Sequence, residues 1–250
     1  MSRPTISLII PALNEESGIV ATLKRVPKEI TEVIVVDGGS KDRTVALAEA
    51  NGARVVVEPL RGYGLAYKRG FAEAKGDVIV TSDADGTYPI ELFPYVVDYL
   101  VKRELSFVNC SRLPLVDSKA MRFWNRIGNV GLSLAATLLY AHPFRDISSG
   151  MWAFRKEFLK KLELHTNGWC FSNEIKLEAY AVNPAGFAEF VIPFEERVGE
   201  THNVTIWATG VEVLGFMAYQ RFQHFMRGRV VDKTRTLAVP IEGPGRKPDA

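Results

Sequence analysis

Short apolar segments alternate with helical patterns along the first half of the chain. The apolar segments contain many β-branched residues, and most are followed within three residues by Pro or Asp, which predicts strands. They are residues 6–10, 33–36, 54–57, 78–80 and 106–110. Helical patterns lie at residues 15–25, about 40–52 and 64–74, with Asn14 predicted to cap the first helix and Ser40 or Asp42 the second. This alternation predicts an α/β fold, a Rossmann-like and mainly parallel sheet flanked by helices.

Two carboxylates directly follow the strand at 78–80, in Asp83-Ala84-Asp85-Gly86. The carboxyl edge of an open α/β sheet is where ligands bind, and alternate residues of an extended chain point the same way. Carboxylates this close repel each other unless a cation lies between them or one stays protonated. The sequence therefore indicates a divalent metal, magnesium or manganese, shared with a diphosphate, while Ala84 leaves room and Thr87 offers a hydroxyl. The alternative is a turn that the aspartates only cap.

Polar residues also follow the first two predicted strands. Asp37 ends the second strand and could accept hydrogen bonds from a base or ribose, with Pro11, Ala12, Asn14 and Glu15 beside it. The alternative is that Asp37 begins a turn and Asn14 is only a helix cap. Neither a G-x-G-x-x-G fingerprint nor a lysine-containing phosphate loop is present. A nucleotide would therefore have to be held in another way.

Three motifs, in this order and spacing, resemble those of family 2 glycosyltransferases with the GT-A fold. They are Pro11-Ala12-Leu13-Asn14-Glu15, Val36-Asp37-Gly38-Gly39-Ser40-x-Asp42-x-Thr44 and Asp83-Ala84-Asp85-Gly86. The resemblance covers roughly the first 90 residues. It implies a nucleotide-sugar donor whose base lies near Asp37 and Gly39, with the diphosphate and metal at Asp83 and Asp85.

The second half resembles one branch of that family, the polyprenol (dolichol) phosphate mannose and glucose synthases. Residues 145–155 and 194–201 carry this resemblance. It implies that the phosphates of donor and acceptor are lined by Arg126, Arg145, Ser149 and Arg197. Thr87 stands where many of these synthases have a glutamine metal ligand, so the preferred metal stays open. His202 stands where they have a lysine, and is either a phosphate ligand or an ordinary exposed histidine.

The chemistry of the acceptor agrees with these arginines. A hydroxyl acceptor needs a carboxylate base, for which Asp146 or Glu174 would serve, whereas a lipid phosphate is already anionic and needs charge-assisted hydrogen bonds. We therefore predict an inverting enzyme that moves a hexose from GDP-mannose or UDP-glucose to a polyprenyl phosphate. The alternatives are a GT-A enzyme with a soluble or glycan hydroxyl acceptor, and a nucleotide-sugar sensor without catalysis.

Composition excludes some partners. The chain has 250 residues and a net charge of +2, which suits one α/β domain and gives no field for nucleic acid. Cys110 and Cys170 have apolar surroundings and predict buried thiols. The first residues do not resemble a signal peptide, and no apolar run reaches the roughly 20 residues of a membrane span. We therefore expect a cytoplasmic protein, peripheral at the cytoplasmic face of the membrane.

Later segments complete the predicted organisation. A helix is expected from about residue 119 to 140, and another over 204–227, apolar at first and then amphipathic. The second would be buried within the domain or in a homodimer interface, or would lie at a bilayer surface, with a separate membrane subunit as the other route to a lipid. The predicted divisions are a catalytic domain at 1–200 (donor half 1–110, acceptor half 111–200), the C-terminal helix at 201–231 and a disordered tail at 232–250.

Overall fold

The computed structural model describes residues 3–114, 121, 123–195 and 206–228, with backbone alone at 206–208. The strands are β1 (Ile6–Ala12), β2 (Glu32–Asp37), β3 (Arg54–Val57), β4 (Val78–Thr81), β5 (Phe107–Ser111), β6 (Trp152–Arg155) and β7 (Phe187–Val191). The helices are α1 (Ile19–Lys24), α2 (Thr44–Ala50), α3 (Tyr63–Glu73), α4 (Phe93–Lys102), α5 (Phe123–Tyr140), α6 (Phe171–Val182) and α7 (Ile206–Met226).

The strands form one sheet in the order β3-β2-β1-β4-β6-β5-β7. The pairs β1–β2, β1–β4, β2–β3 and β5–β7 are parallel, whereas β6 runs antiparallel between β4 and β5. The predicted mainly parallel α/β fold is confirmed. Strand β6 was not predicted, because its four residues lie within the segment interpreted as a phosphate-binding signature.

Helices cover both faces of the sheet, which is why the central strands are apolar on both sides. In β1, Leu8 and Ile10 face a core formed with α1, α2 and α4, and Ile9 faces a core formed with α3, α5, α6 and α7. Helix α3 lies close to the sheet at Gly70, where a Cβ would stand 2.4 Å from Ile9 Cγ2. This packing leaves the carboxyl ends of β1, β2 and β4 at one open edge.

The first helix begins later than predicted, at Ile19 rather than residue 15. Asn14 has a left-handed backbone (φ 54°), and its side chain accepts a hydrogen bond from the Lys41 N–H at 2.8 Å. Asn14 therefore does not cap α1 but holds the loop after β2. Helix α2 begins at Thr44, and the N-cap position is held by Arg43 rather than by Ser40 or Asp42 as predicted; Asp42, one residue earlier, accepts a hydrogen bond from the Thr44 N–H at 3.0 Å.

The predicted C-terminal helix is present as α7. Its inner side packs against α5 and α6 through four buried residues, Val213, Met217, Gln220 and His224. The outer side exposes large apolar side chains, among them Val211, Leu214, Phe222 and Phe225. Within the described residues, no helix has the length and apolar character required to cross a membrane. The predicted tail at 232–250 lies outside the described residues.

Candidate active site

The loop after β2 closes over Asp37 at the edge of the sheet. The Asp37 side chain is buried, and its carboxylate accepts hydrogen bonds from the Gly39 N–H (3.0 Å) and the Ser40 N–H (3.2 Å). Gly39 has φ +88°, which favours glycine there. The Asp37 carboxylate therefore stabilises the turn that begins at this residue, which is the alternative stated from the sequence. Its contact with a base or ribose stays a prediction.

The end of β1 lies beside this turn. Pro11 and Ala12 pair with Val36 and Asp37, respectively, across the parallel ladder. The Asn14 N–H donates to the Ser40 hydroxyl, and the Glu15 N–H to Thr44 Oγ1, at 2.9 and 2.8 Å. The predicted donor-binding residues of the first two strands are therefore brought together at one edge.

The two carboxylates that follow β4 are held in different ways. Asp85 is buried, and its Oδ1 accepts hydrogen bonds from the Thr87 N–H (3.1 Å) and hydroxyl (2.7 Å). Asp83 Oδ1 accepts one from the Tyr63 hydroxyl at 3.3 Å. A Cβ on Gly150 would lie 3.0 Å from both oxygens of Asp83, so glycine allows the loop before β6 to approach that carboxylate.

Ala84, between the two aspartates, is fixed by its backbone. Its carbonyl accepts a hydrogen bond from the Thr22 hydroxyl of α1 at 3.0 Å, and its side chain is buried. Helix α1 comes this close because residue 18 is glycine, where a Cβ would lie 2.7 Å from Asp85 Cα. The carboxylate pair is therefore anchored to α1 on one face of the sheet and to Tyr63 on the other.

The electrostatics of the pair suit a divalent cation. Burial, and then the neighbouring Asp85 carboxylate, raise the pKa of Asp83 to about 7. Among the described residues, no group of three or more His, Cys, Asp or Glu side chains could hold a metal on its own. Carboxylate oxygens suit magnesium and manganese, and Mg²⁺ often takes one or two protein carboxylates and completes its shell with phosphate oxygens and water. Asp83 and Asp85 therefore fit a metal bound together with a diphosphate.

The Thr87 hydroxyl donates a hydrogen bond to Asp85 Oδ1. In this structure it orients the carboxylate, and its role as a metal ligand stays a prediction.

Two of the predicted arginines meet in a groove on the acceptor half. Arg126 on α5 and Arg145 in the loop before β6 line a groove of about 410 Å³. Its other walls are largely apolar and include Leu113, Val130, Leu134 and Phe144. Both arginine side chains are exposed, while the Arg145 N–H is held by Glu189 Oε2 at 2.8 Å. The groove combines positive charge with an apolar surface.

Arg112, which the sequence patterns did not assign to the site, follows β5 at the same edge. Its Nε and Nη2 donate to the two oxygens of Asp146 at 2.7 and 2.9 Å. Burial raises the pKa of Asp146, but the Arg112 guanidinium outweighs this effect and leaves that pKa below its ordinary value. The signal that could have found Arg112 is its place directly after a strand at the ligand-binding edge.

Ser149 is fully buried beneath the edge of the sheet. Its carbonyl accepts hydrogen bonds from Trp152 Nε1 (2.6 Å), Lys176 Nζ (2.6 Å) and Ser172 Oγ (3.1 Å). Lys176 also donates to the Ile147 carbonyl at 2.5 Å, and burial lowers the pKa of Lys176 to about 7. Ser149 thus helps to hold the loop before β6 in place through its backbone carbonyl. Its contact with phosphate stays a prediction. Arg197 and His202 lie outside the described residues.

A mostly parallel sheet with paired aspartates after its fourth strand is the GT-A glycosyltransferase architecture. Residues 7–163 match the family described as Glycosyl transferase family 2. The chain therefore belongs to that family and is a glycosyltransferase. The sequence-based assignment to this family is confirmed.

Some of the relatives of this chain are named as transferases of dolichyl or dolichol phosphate. A dolichyl-phosphate hexose transferase of Haloferax volcanii is 33% identical over 78% of this chain and 85% of the relative. A dolichol-phosphate mannosyltransferase of Pyrococcus furiosus is 27% identical, with 69% of this chain covering about half (52%) of that protein. The fold matches glucosyl-3-phosphoglycerate synthase of Mycobacterium tuberculosis in complex with uridine diphosphate, with a TM-score of 0.71 and 24% identity over 88% of this chain and 80% of the other. That likeness shows the fold.

Proposed function

We propose that the chain transfers a hexose from a nucleotide sugar, GDP-mannose or UDP-glucose, to a polyprenyl phosphate. The observation that carries this proposal is the groove in which Arg126 and Arg145 stand among apolar walls. Guanidinium groups bind phosphate through charge-assisted hydrogen bonds, and apolar walls suit the first isoprene units of the lipid. The dolichyl-phosphate names of the relatives support the same acceptor class.

The two carboxylates considered as a general base are both engaged in other contacts. Asp146 is paired with Arg112. Glu174 is buried, and its oxygens accept hydrogen bonds from the His165 N–H (2.7 Å), the Thr166 N–H (2.9 Å) and the Thr166 hydroxyl (2.5 Å). The Arg112 guanidinium holds the pKa of Asp146 below its ordinary value, which makes that carboxylate a poor proton acceptor for an attacking hydroxyl. This favours an acceptor that is already anionic.

The proposed step is a direct displacement at the anomeric carbon. A phosphate oxygen of the lipid forms the new C–O bond, and the bond from that carbon to the diphosphate breaks. The bonding electrons leave with the nucleoside diphosphate, the anomeric configuration inverts, and no proton needs to be removed from the acceptor. A metal held by Asp83 and Asp85 would supply charge stabilisation for the departing diphosphate.

An exposed apolar stripe on α5 supports a lipid acceptor. Val130 and Leu134 line the groove, and Leu138 continues the stripe one turn further at 75% exposure. Towards the start of the helix, Phe123 and Ile127 lie on the same face at helical spacing and are also exposed. With the outer side of α7, this stripe would rest on a bilayer surface and place the groove where a lipid phosphate lies.

The test is incubation of labelled nucleotide sugars with a short-chain polyprenyl phosphate and magnesium or manganese, followed by organic extraction. We expect label in the organic phase and none with the corresponding polyprenol, which has a hydroxyl in place of the phosphate. Parallel reactions contain phosphoglycerate, because structures of the M. tuberculosis synthase contain phosphoglyceric acid. Label in phosphoglycerate but not in lipid would contradict the proposed acceptor and favour a soluble one.

A further inference from the structure

The Trp169 side chain forms an exposed aromatic surface close to the paired carboxylates. It lies just before α6 and is 52% exposed. The indole stacks on the Tyr63 ring, with ring centroids 4.6 Å apart and planes 22° apart. The Tyr63 hydroxyl in turn donates to Asp83 Oδ1. One aromatic side chain therefore separates an exposed indole from the candidate donor site.

The loop that carries Trp169 is fixed to both neighbouring helices. The Gly64 N–H at the start of α3 donates to the Asn167 carbonyl at 2.9 Å. From α6, the Glu174 carboxylate accepts the His165 N–H. Tyr63 is fixed as well, by an edge-to-face contact with Tyr67 at 4.9 Å. The indole is thus held in place before any ligand arrives, which lowers the entropic cost of binding against it.

The position along the sheet indicates which part of a nucleotide sugar meets this ring. Asp37, where the base is expected, ends β2, and β1 separates β2 from β4. Trp169 stacks on Tyr63 of α3 and lies just before α6, whose first turn reaches the loop before β6 through the hydrogen bond that Ser172 donates to the Ser149 carbonyl. The diphosphate is expected at Asp83 and Asp85, and the acceptor in the arginine groove. In a nucleotide sugar the hexose is attached to the distal phosphate, so we expect it next to the carboxylate pair, to which Tyr63 connects Trp169.

We propose that Trp169, supported by Tyr63, is the surface on which the hexose of the donor stacks. This inference rests on the nucleotide-sugar donor of the proposed function. One face of a pyranose ring presents C–H groups that pack on an aromatic face, while its hydroxyls project around the rim of the ring. A hydroxyl that projects from the stacked face holds the ring away from the indole. Trp169 therefore discriminates between hexoses that differ in hydroxyl orientation.

The experiment compares binding of a nucleotide sugar with binding of its nucleoside diphosphate, in the presence of metal and without acceptor. We expect Trp169→Ala to weaken UDP-glucose or GDP-mannose, whichever the protein binds, by roughly three- to tenfold. UDP or GDP should bind within about twofold of the wild type, because neither contains the hexose. Trp169→Phe should restore most of the sugar-dependent affinity. Trp124→Ala, which changes an exposed tryptophan on α5, is the matched control.

The outcomes separate the assignments. Equal weakening of nucleotide sugar and nucleoside diphosphate would overturn the hexose contact and place the base against Trp169. Unchanged binding of both would overturn any ligand contact and leave Trp169 as a structural side chain. If the Trp169 effect is specific to the hexose but no lipid product forms with the wild type, the stacking surface is supported and the proposed acceptor is wrong.

Discussion

The sheet edge proposed to bind the donor (the donor edge) and the arginine groove proposed to bind the acceptor (the acceptor groove) are built in opposite ways. At the donor edge, the carboxylates of Asp37 and Asp85 are buried and accept hydrogen bonds from backbone N–H groups of their own loops. In the acceptor groove, Arg126 and Arg145 are exposed and stand beside apolar side chains. The donor edge is preorganised, because its polar groups are already held in place before a nucleotide sugar binds. In the acceptor groove, a lipid phosphate would supply the anion that pairs with the arginines and the apolar chain that covers the apolar side chains. The difference predicts that changes at the two regions affect separable steps.

The largest effect is expected at the donor edge. Asp85→Asn removes the charge that we propose faces the diphosphate, and transfer should fall on the order of 10³-fold, with loss of metal-dependent donor binding. Activity at several metal concentrations and calorimetric donor binding measure this. Asp98→Asn is the control, because Asp98 pairs with Lys102 in an exposed ion pair on α4. An Asp85→Asn enzyme with normal turnover and an unchanged metal requirement would exclude Asp85 as the ligand.

The next effect is expected in the acceptor groove. Arg126→Ala and Arg145→Ala each remove a charged hydrogen-bond donor, worth about 1.5 to 3 kcal/mol, so kcat/KM for the lipid phosphate should fall roughly ten- to hundredfold. Donor affinity measured without acceptor should not change. Arg69→Ala, in the exposed ion pair with Glu73 on α3, is the control. Equal loss of donor affinity would show that the two regions are not separable.

A smaller effect separates the lipid chain from its phosphate. Leu134→Ser with Leu138→Ser should raise the KM several-fold for long-chain polyprenyl phosphates, and much less for a chain of one or two isoprene units. Flotation with anionic liposomes should weaken in parallel. Tyr95→Ser, which changes an exposed aromatic residue on α4, should do neither. Loss of a dimer without loss of liposome binding would instead favour a protein interface on this face.

The smallest effect is on stability in the acceptor half. His142 lies after α5 among Phe144, Tyr180 and Phe187, and burial lowers its pKa to about 4, below its ordinary 6.5. Between these pH values the unfolded chain binds a proton that the folded chain does not, so the free energy of unfolding should fall as pH falls from 6.5 to 4. His142→Phe should remove about 1 to 2 kcal/mol of this dependence in chemical denaturation series. His165→Phe, at an exposed histidine, is the matched control.

Local sequence determined most of the donor half. Strands such as β1 and β4 are short apolar runs ended by turn residues, and that pattern depends only on neighbours in the chain. The same pattern is sufficient to place Asp37, Asp83 and Asp85 at strand ends. The boundary of α1 could not be predicted in this way, because Asn14 bonds to Lys41 rather than to the helix that follows it.

Tertiary structure decided the features that depend on distant partners. Arg112 neutralises Asp146 across 34 positions, which changes a candidate base into part of an ion pair. The antiparallel placement of β6, the burial of Ser149 and the outward face of Leu134 likewise follow from which elements pack together. Sequence by itself therefore determined the family, the strands β1 to β5 and the carboxylate pair, because local patterns encode them. Only the folded chain decided which charges are paired, buried or exposed, since burial and pairing arise from contacts between residues far apart in sequence.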